Sequence, residues 1–181
     1  MRVCVYCASS ESIDPSFKEL ARDVGTAIGK RGWDLVSGGG RVSMMGEVAS
    51  AVRATGRHTV GVIPDDLVIR EEADHDCDEL LLVHTMRDRK AQMEAHADAF
   101  LALPGGIGTL EELLEVWTSR ALLQHHKPVV VLDPTGLLAP LRELVQNLAA
   151  AGFVRQIALE TITWTTEIDD ALDACAAGIV G

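Results

Sequence analysis

The amino-acid sequence predicts an α/β protein built on a doubly wound, mainly parallel sheet with helices on both faces. Three observations carry that reading. Short β-rich apolar runs recur at Val3–Cys7, Asp34–Val36, Thr59–Ile63, Leu80–Val83, Ala99–Leu103, Val129–Leu132 and Thr161–Trp164. Helix-periodic segments lie between them, near Ser16–Lys30, Met44–Ala54, Met86–Ala97, Thr109–Leu123, Leu137–Ala151 and Glu167–Ala177. Small or glycine-rich turns follow three of the runs: CASS, SGGGRVSMMG and LPGGIGT.

Each observation has a physical basis. Near-continuous apolar strands suit a parallel sheet covered on both faces. Repeated alternation of strand and helix implies right-handed crossovers and a Rossmann-like open sheet. The 181 residues are enough for one core, and no linker or composition break divides them, so residues 1–181 are read as a single nucleotide-binding domain. In such sheets ligands bind beyond the carboxyl ends of the strands, where these three turns belong. Tight βα turns use glycine without any ligand, so the number of such turns, rather than any one, points to a site.

Composition narrows the function classes. Sixteen basic against 27 acidic residues give a net charge of −11, which argues against nucleic-acid and anionic-membrane partners. Eight acids and one base fall between Asp65 and Glu79, a run read as a solvated loop. The start MRVCVYCASS is too short and β-like for a signal peptide, and no apolar run reaches the roughly 18–20 residues of a membrane span. A cytoplasmic protein is expected. Cys4 and Cys7 form a C-x-x-C on a strand, where residues three apart face opposite ways, so neither a redox pair nor a shared metal is expected. The six histidines are scattered, and Asp74–Asp78 (DHDCD) has no regular zinc spacing. No metal is predicted. His125 and His126 are read as turn residues before a strand, and Trp117 and Trp164 as core or interface.

The nucleotide motifs are informative by omission. No G-x-x-x-x-G-K-[ST] occurs, and Gly106-Ile107-Gly108 lacks the third glycine of G-x-G-x-x-G. A redox cofactor is therefore unsupported, and no cofactor is predicted. A glycine turn that opens a helix can still bind one phosphate through free amides and the Thr109 hydroxyl. On that helix Leu110, Leu113, Leu114 and Trp117 make the packed stripe, which leaves Glu112 and Glu115 on the other side, roughly 60° apart. Acids in a first turn are also favoured by the helix dipole, and Glu111 is read that way. In MRDRKAQMEAHA, Met86, Met93 and Ala97 line one side, and Arg89 and Lys90 fall within the same stripe. Snorkelling lysines and arginines are common. Two adjacent cations there point to a bound anion or a subunit contact.

A phosphate cradle, cations and a carboxylate together suit a nucleoside 5′-monophosphate that loses its base. Glycosidic cleavage passes through an oxocarbenium-like state, and a carboxylate at the anomeric carbon stabilises charge that exists mainly in the transition state. The cradle and the carboxylate would then hold opposite ends of one sugar.

The segments SGGGRVSMMGEVA, MRDRKAQM and LPGGIGTLEELLEVWT, with CASS and KPVVVLDPTGLLAPL, resemble the Lonely Guy family of cytokinin riboside 5′-monophosphate phosphoribohydrolases, often labelled lysine decarboxylases. The similarity runs from about Val3 to Ala174. It implies a Rossmann-like fold, at least a homodimer with sites near the interface, and release of free base and ribose 5-phosphate without metal or redox cofactor. It makes Arg89 and Glu112 the catalytic pair and puts Lys90, Gly105, Gly106, Gly108, Thr109 and Glu115 around the nucleotide. Ser9, Gly39, Gly40 and Met86 complete the expected substrate contacts. This chain departs from the family pattern at Ser43, where glycine is usual, at Arg41 within the turn, at Ala8, and at Asp65, where lysine is frequent.

The predicted reaction is hydrolysis of the N-glycosidic bond of adenine nucleoside 5′-monophosphates, N6-substituted ones included. Two alternatives stay open: a general nucleoside 5′-monophosphate nucleosidase, and a non-catalytic nucleotide- or pterin-binding carrier. A decarboxylase is disfavoured because no pyridoxal-phosphate lysine setting is recognisable, and fold analogy alone carries no function.

Overall fold

The computed structural model describes residues 1–69 and 71–178. Seven strands form one sheet in the order β4-β3-β2-β1-β5-β6-β7, every pair parallel. They are β1 (Arg2–Tyr6), β2 (Asp34–Ser37), β3 (Thr59–Pro64), β4 (Glu79–Val83), β5 (Ala99–Ala102), β6 (Val129–Leu132) and β7 (Thr163–Thr165). The expected parallel, doubly wound α/β fold is present. The helices are α1 (Pro15–Lys30), α2 (Ser43–Ala54), α3 (Met86–His96), α4 (Ile107–Ala121), α5 (Ala139–Ala150), α6 (Gln156–Glu160) and α7 (Ile168–Ala176). The short α6 has no counterpart in the sequence reading, since five residues are too few to show a helical period.

Side-chain alternation along β1 divides the core. Val3, Val5 and Cys7 face one cluster with α1, α2 and α7, while Cys4 and Tyr6 face another with α3, α4 and α5. Cys4 and Cys7 thus point to opposite faces, and all four cysteines are free. Glycine permits the closest helix contact: a Cβ on Gly25 of α1 would lie 2.5 Å from the Val48 carbonyl oxygen of α2.

Two helical stripes differ from expectation. On α4, Thr109, Leu113, Val116 and Trp117 are buried while Leu114 is 40% exposed, and Trp117 packs edge-on against Trp164. On α3, Met93 and Arg89 are buried but Met86 stands open.

Strand order decides where a ligand can go. Chain progression reverses between β1 and β5, so the turns after these neighbouring strands diverge and open a crevice at their carboxyl ends.

Candidate active site

A cavity of about 450 Å³ occupies that crevice. Its floor is the turn after β1 (Cys7, Ala8, Ser9, Ser10), and one wall is the turn after β5 (Pro104, Gly105, Gly106). Ile13, Phe17, Met44 and Met45 line the α1–α2 side; Met86, Arg89, Glu111 and Glu112 line the α3–α4 side.

Side chains occupy some of the helix-start amides around this rim. Asp14 accepts from Ser16 N at the start of α1, Thr85 from Asp88 N at α3, and Asp133 from Leu137 N and Leu138 N just before α5. At α2, Ser43 N donates to Glu11 Oε1 at 2.5 Å. Helix α4 starts at Gly106 without a capping side chain; the N-cap residues of α2 and α5, Val42 and Leu138, make no side-chain cap bond either. The first residues of α4, Ile107, Gly108 and Thr109, line the cavity, and a helix start of this kind can hold an anion. A Cβ at Gly105 would lie 2.2 Å from Thr109 Oγ1, whereas Gly106 and Gly108 have nothing within 4 Å. The first glycine is demanded by packing; the other two are not.

Arg89 is 4% exposed. Its Nε donates to the Val62 carbonyl at 3.1 Å, and its Nη2 to the Gly38 carbonyl at 2.7 Å and to Glu71 Oε2 at 2.8 Å. Among the described residues Nη1 meets only the Met86 sulfur, at 3.9 Å. A buried guanidinium with three strong acceptors is fixed in place, and its remaining nitrogen is available to a ligand oxygen.

Glu112 lines the same cavity and forms no ion pair among the described residues. Burial pushes its carboxyl up to about 7; Arg89 pulls it down, Glu111 and Glu71 push it up, and Lys90 pulls it down. It is poised between charged and neutral forms near physiological pH.

The other expected contacts divide. Ser9, Met86, Gly105, Gly106, Gly108 and Thr109 line the cavity. Lys90 and Glu115 do not: Lys90 pairs with Glu111 and, at 2.9 Å, with Glu115, tying α3 to α4 beside the site. Glu111 is thereby a partner of Lys90 rather than simply a solvated acid. Gly39 and Gly40 are also absent from the lining. Their glycine is required by packing, since Gly39 has φ 74° and a Cβ on Gly40 would lie 2.9 Å from Glu71 Cβ. Gly38 has the tightest fit of these three, its Cβ position being 2.1 Å from Arg89 Nη2. The second glycine turn holds the arginine.

The acidic run is not a freely solvated loop. Glu71 pairs with Arg89, Asp74 is 2% exposed and pairs with Arg53, and Asp78 accepts from Thr59 N. Glu71 is the polar site residue that sequence reasoning missed; nothing local distinguishes it from seven neighbouring acids. Asp65, where the family pattern has lysine, bonds His84 Nδ1 at 2.9 Å on the surface. Arg41 lies beside Glu72, also exposed. No group of three or more metal-ligating side chains occurs among the described residues. None of the described helices is long and apolar enough to cross a membrane.

Comparison with known proteins agrees with this geometry. Residues 45–175 match the family model described as "Possible lysine decarboxylase". A cytokinin riboside 5′-monophosphate phosphoribohydrolase of Mycobacterium marinum is 54% identical over 97% of this chain and 94% of its own length. A Mycobacterium tuberculosis protein of the same name is 52% identical over 96% and 92%, and one from Arabidopsis thaliana 44% identical over 89% and 75%. The molybdenum cofactor binding protein of Rippkaea orientalis superposes with a TM-score of 0.76 at 20% identity, covering 99% of this chain and 97% of that one. At that identity the likeness concerns the fold. The chain belongs to the Lonely Guy family.

Proposed function

We propose that this protein hydrolyses the N-glycosidic bond of adenine nucleoside 5′-monophosphates, including N6-substituted cytokinin precursors, to free base and ribose 5-phosphate. The observation that carries the reading is the placement of Arg89 and Glu112 on one cavity wall beside the uncapped start of α4. The phosphate takes the α4 amides and the Thr109 hydroxyl. Arg89 Nη1 donates to a ligand oxygen. The C1′–N bond breaks with its electron pair leaving on the base, and ionised Glu112 faces the cation left at C1′. Water then adds to C1′ and gives its proton to Glu112, whose carboxyl near 7 suits that exchange. The proton passes on to the departed base anion, which restores the ionised carboxylate.

The relatives' names support the substrate class. The decarboxylase description finds no support in the cavity, whose described lining contains no lysine to form a Schiff base. Residues 1–181 act as one nucleotide-binding unit, and four free cysteines suit a reducing, cytoplasmic setting. A homodimer is part of the reading: Leu114, Leu122 and Leu123, on and just beyond α4, are 40–67% exposed.

The test is incubation with AMP, N6-isopentenyl-AMP and the matching nucleosides, with chromatography for free base. Cleavage is expected of the phosphates alone, abolished by Glu112→Gln and severely reduced by Arg89→Ala. Tight binding of the nucleotides without turnover would instead establish a carrier.

A further inference from the structure

The described residues between β3 and β4, 65–69 and 71–78, run over the second glycine turn as a strap. Gly40 and Ala73 form an antiparallel bridge, Asp74 N donates to the Gly39 carbonyl at 2.8 Å, and Arg41 N donates to the Glu71 and Glu72 carbonyls at 3.1 and 3.0 Å. Gly38, at the head of the same turn, accepts from Arg89 below. The turn is thus clamped between strap and arginine, and the strap's Glu71 reaches past it to the guanidinium.

Beside the Glu71–Arg89 and Asp78–Thr59 contacts, a forked ion pair secures the middle of the strap to the body of the fold. Arg53, in the last turn of α2, donates from Nη1 to Asp74 Oδ2 at 2.8 Å and from Nη2 to Oδ1 at 3.4 Å. Oδ1 also accepts from Asp76 N at 3.2 Å. The Asp74 side chain is 3% exposed and that of Arg53 22%. Such a forked pair fixes orientation as well as distance. Neither residue lines the catalytic cavity.

We propose that Arg53 and Asp74 are positioning residues for the active site: their ion pair fixes the strap in the register that brings Glu71 against Arg89. This rests on the proposed hydrolase reading for its catalytic consequence, but its structural part can be measured without turnover. The reporter is Glu112. The groups that face it are Arg89 and Lys90 of α3, Glu111 of its own helix, Glu71 of the strap, and the buried side chains Cys4, Tyr6 and Cys7 at β1, which burial keeps neutral. Withdrawing Glu71 removes one negative neighbour, so the Glu112 carboxyl must titrate at lower pH.

The experiment follows the Glu112 carboxyl by 13C NMR in substrate-free protein, assigned by its loss in Glu112→Gln, together with kcat and KM for AMP. Asp74→Asn and Arg53→Gln should each shift the midpoint to lower pH, in the direction Glu71→Gln shifts it. They should lower kcat/KM by about 10- to 100-fold, the scale of a misplaced catalytic group. Arg53→Lys, which keeps the charge, should hold the wild-type midpoint. If Asp74→Asn fails to fold, Arg53→Gln, nearer solvent, decides the matter. An unmoved midpoint in the folded variants, with only thermal stability lost, would overturn the inference. If the wild type cleaves no nucleotide, the hydrolase reading falls, and the titration still tests the latch.

Discussion

Arg89 forms its ion pair with Glu71, at 2.8 Å, and not with Glu112 on the same cavity wall. Burial raises the affinity of the Glu112 carboxyl for its proton, and an arginine already paired with Glu71 offsets that only in part.

For the proposed reaction Glu112 must be ionised, so kcat/KM for AMP should climb with pH through a midpoint near 7. A pH–rate profile checks this. The limb should be absent from whatever activity remains in Glu112→Gln.

The same shift has a thermodynamic consequence of opposite sense. The Glu112 carboxyl titrates about 7 in the folded state against 4.5 as the ordinary value. Between those values the folded state holds the proton more tightly than the unfolded one, so stability falls as pH rises through the window. Glu112→Gln should therefore match wild type below pH 4.5 and exceed it above pH 7, by about 1–3 kcal/mol, the half-buried position keeping the figure modest. Urea unfolding at pH 4 and pH 8 measures both.

Glycine substitutions should separate packing from ligand contact. Gly38→Ala places a methyl 2.1 Å from Arg89 Nη2, so it should displace the guanidinium, cost about 1–3 kcal/mol and reduce turnover sharply. Gly106→Ala and Gly108→Ala meet nothing within 4 Å. They should leave thermal stability near wild type yet raise KM for the nucleotide several-fold, because a methyl there intrudes on the bound phosphate. Calorimetric melting and steady-state kinetics on the three variants provide the comparison.

Ser43 stands in a left-handed conformation, φ 53°, where the family pattern usually has glycine. Its hydroxyl donates to the Ser10 carbonyl at 2.5 Å. The strain is on the order of 1–2 kcal/mol and the hydrogen bond offsets about 1 kcal/mol of it. Ser43→Ala keeps the strain and loses the bond, so it should destabilise by about 1 kcal/mol. Ser43→Gly loses both and should stay within about 1 kcal/mol of wild type. Denaturant midpoints distinguish the two outcomes.

The sequence by itself determined what depends on short-range periodicity and on turn chemistry. Alternating apolar runs marked all seven strands. The 3.6-residue period marked six of seven helices and failed only for α6, which is a little over one turn long. PGGIGT announced the start of α4, and MRDRK offered the arginine because a cation in an apolar stripe is locally anomalous. What tertiary structure decided lies between segments distant along the chain. The strand order, and with it the crevice between the β1 and β5 turns, arises from pairing across roughly a hundred residues. Glu71 gained its role from an arginine 18 positions on, and Gly38 from the same arginine 51 positions on. Lys90 was taken out of the cavity by Glu111 and Glu115 on the next helix but one strand. A carboxylate's partner is set by through-space distance and exclusion of water. Neither is written in the spacing of residues along a strand or helix.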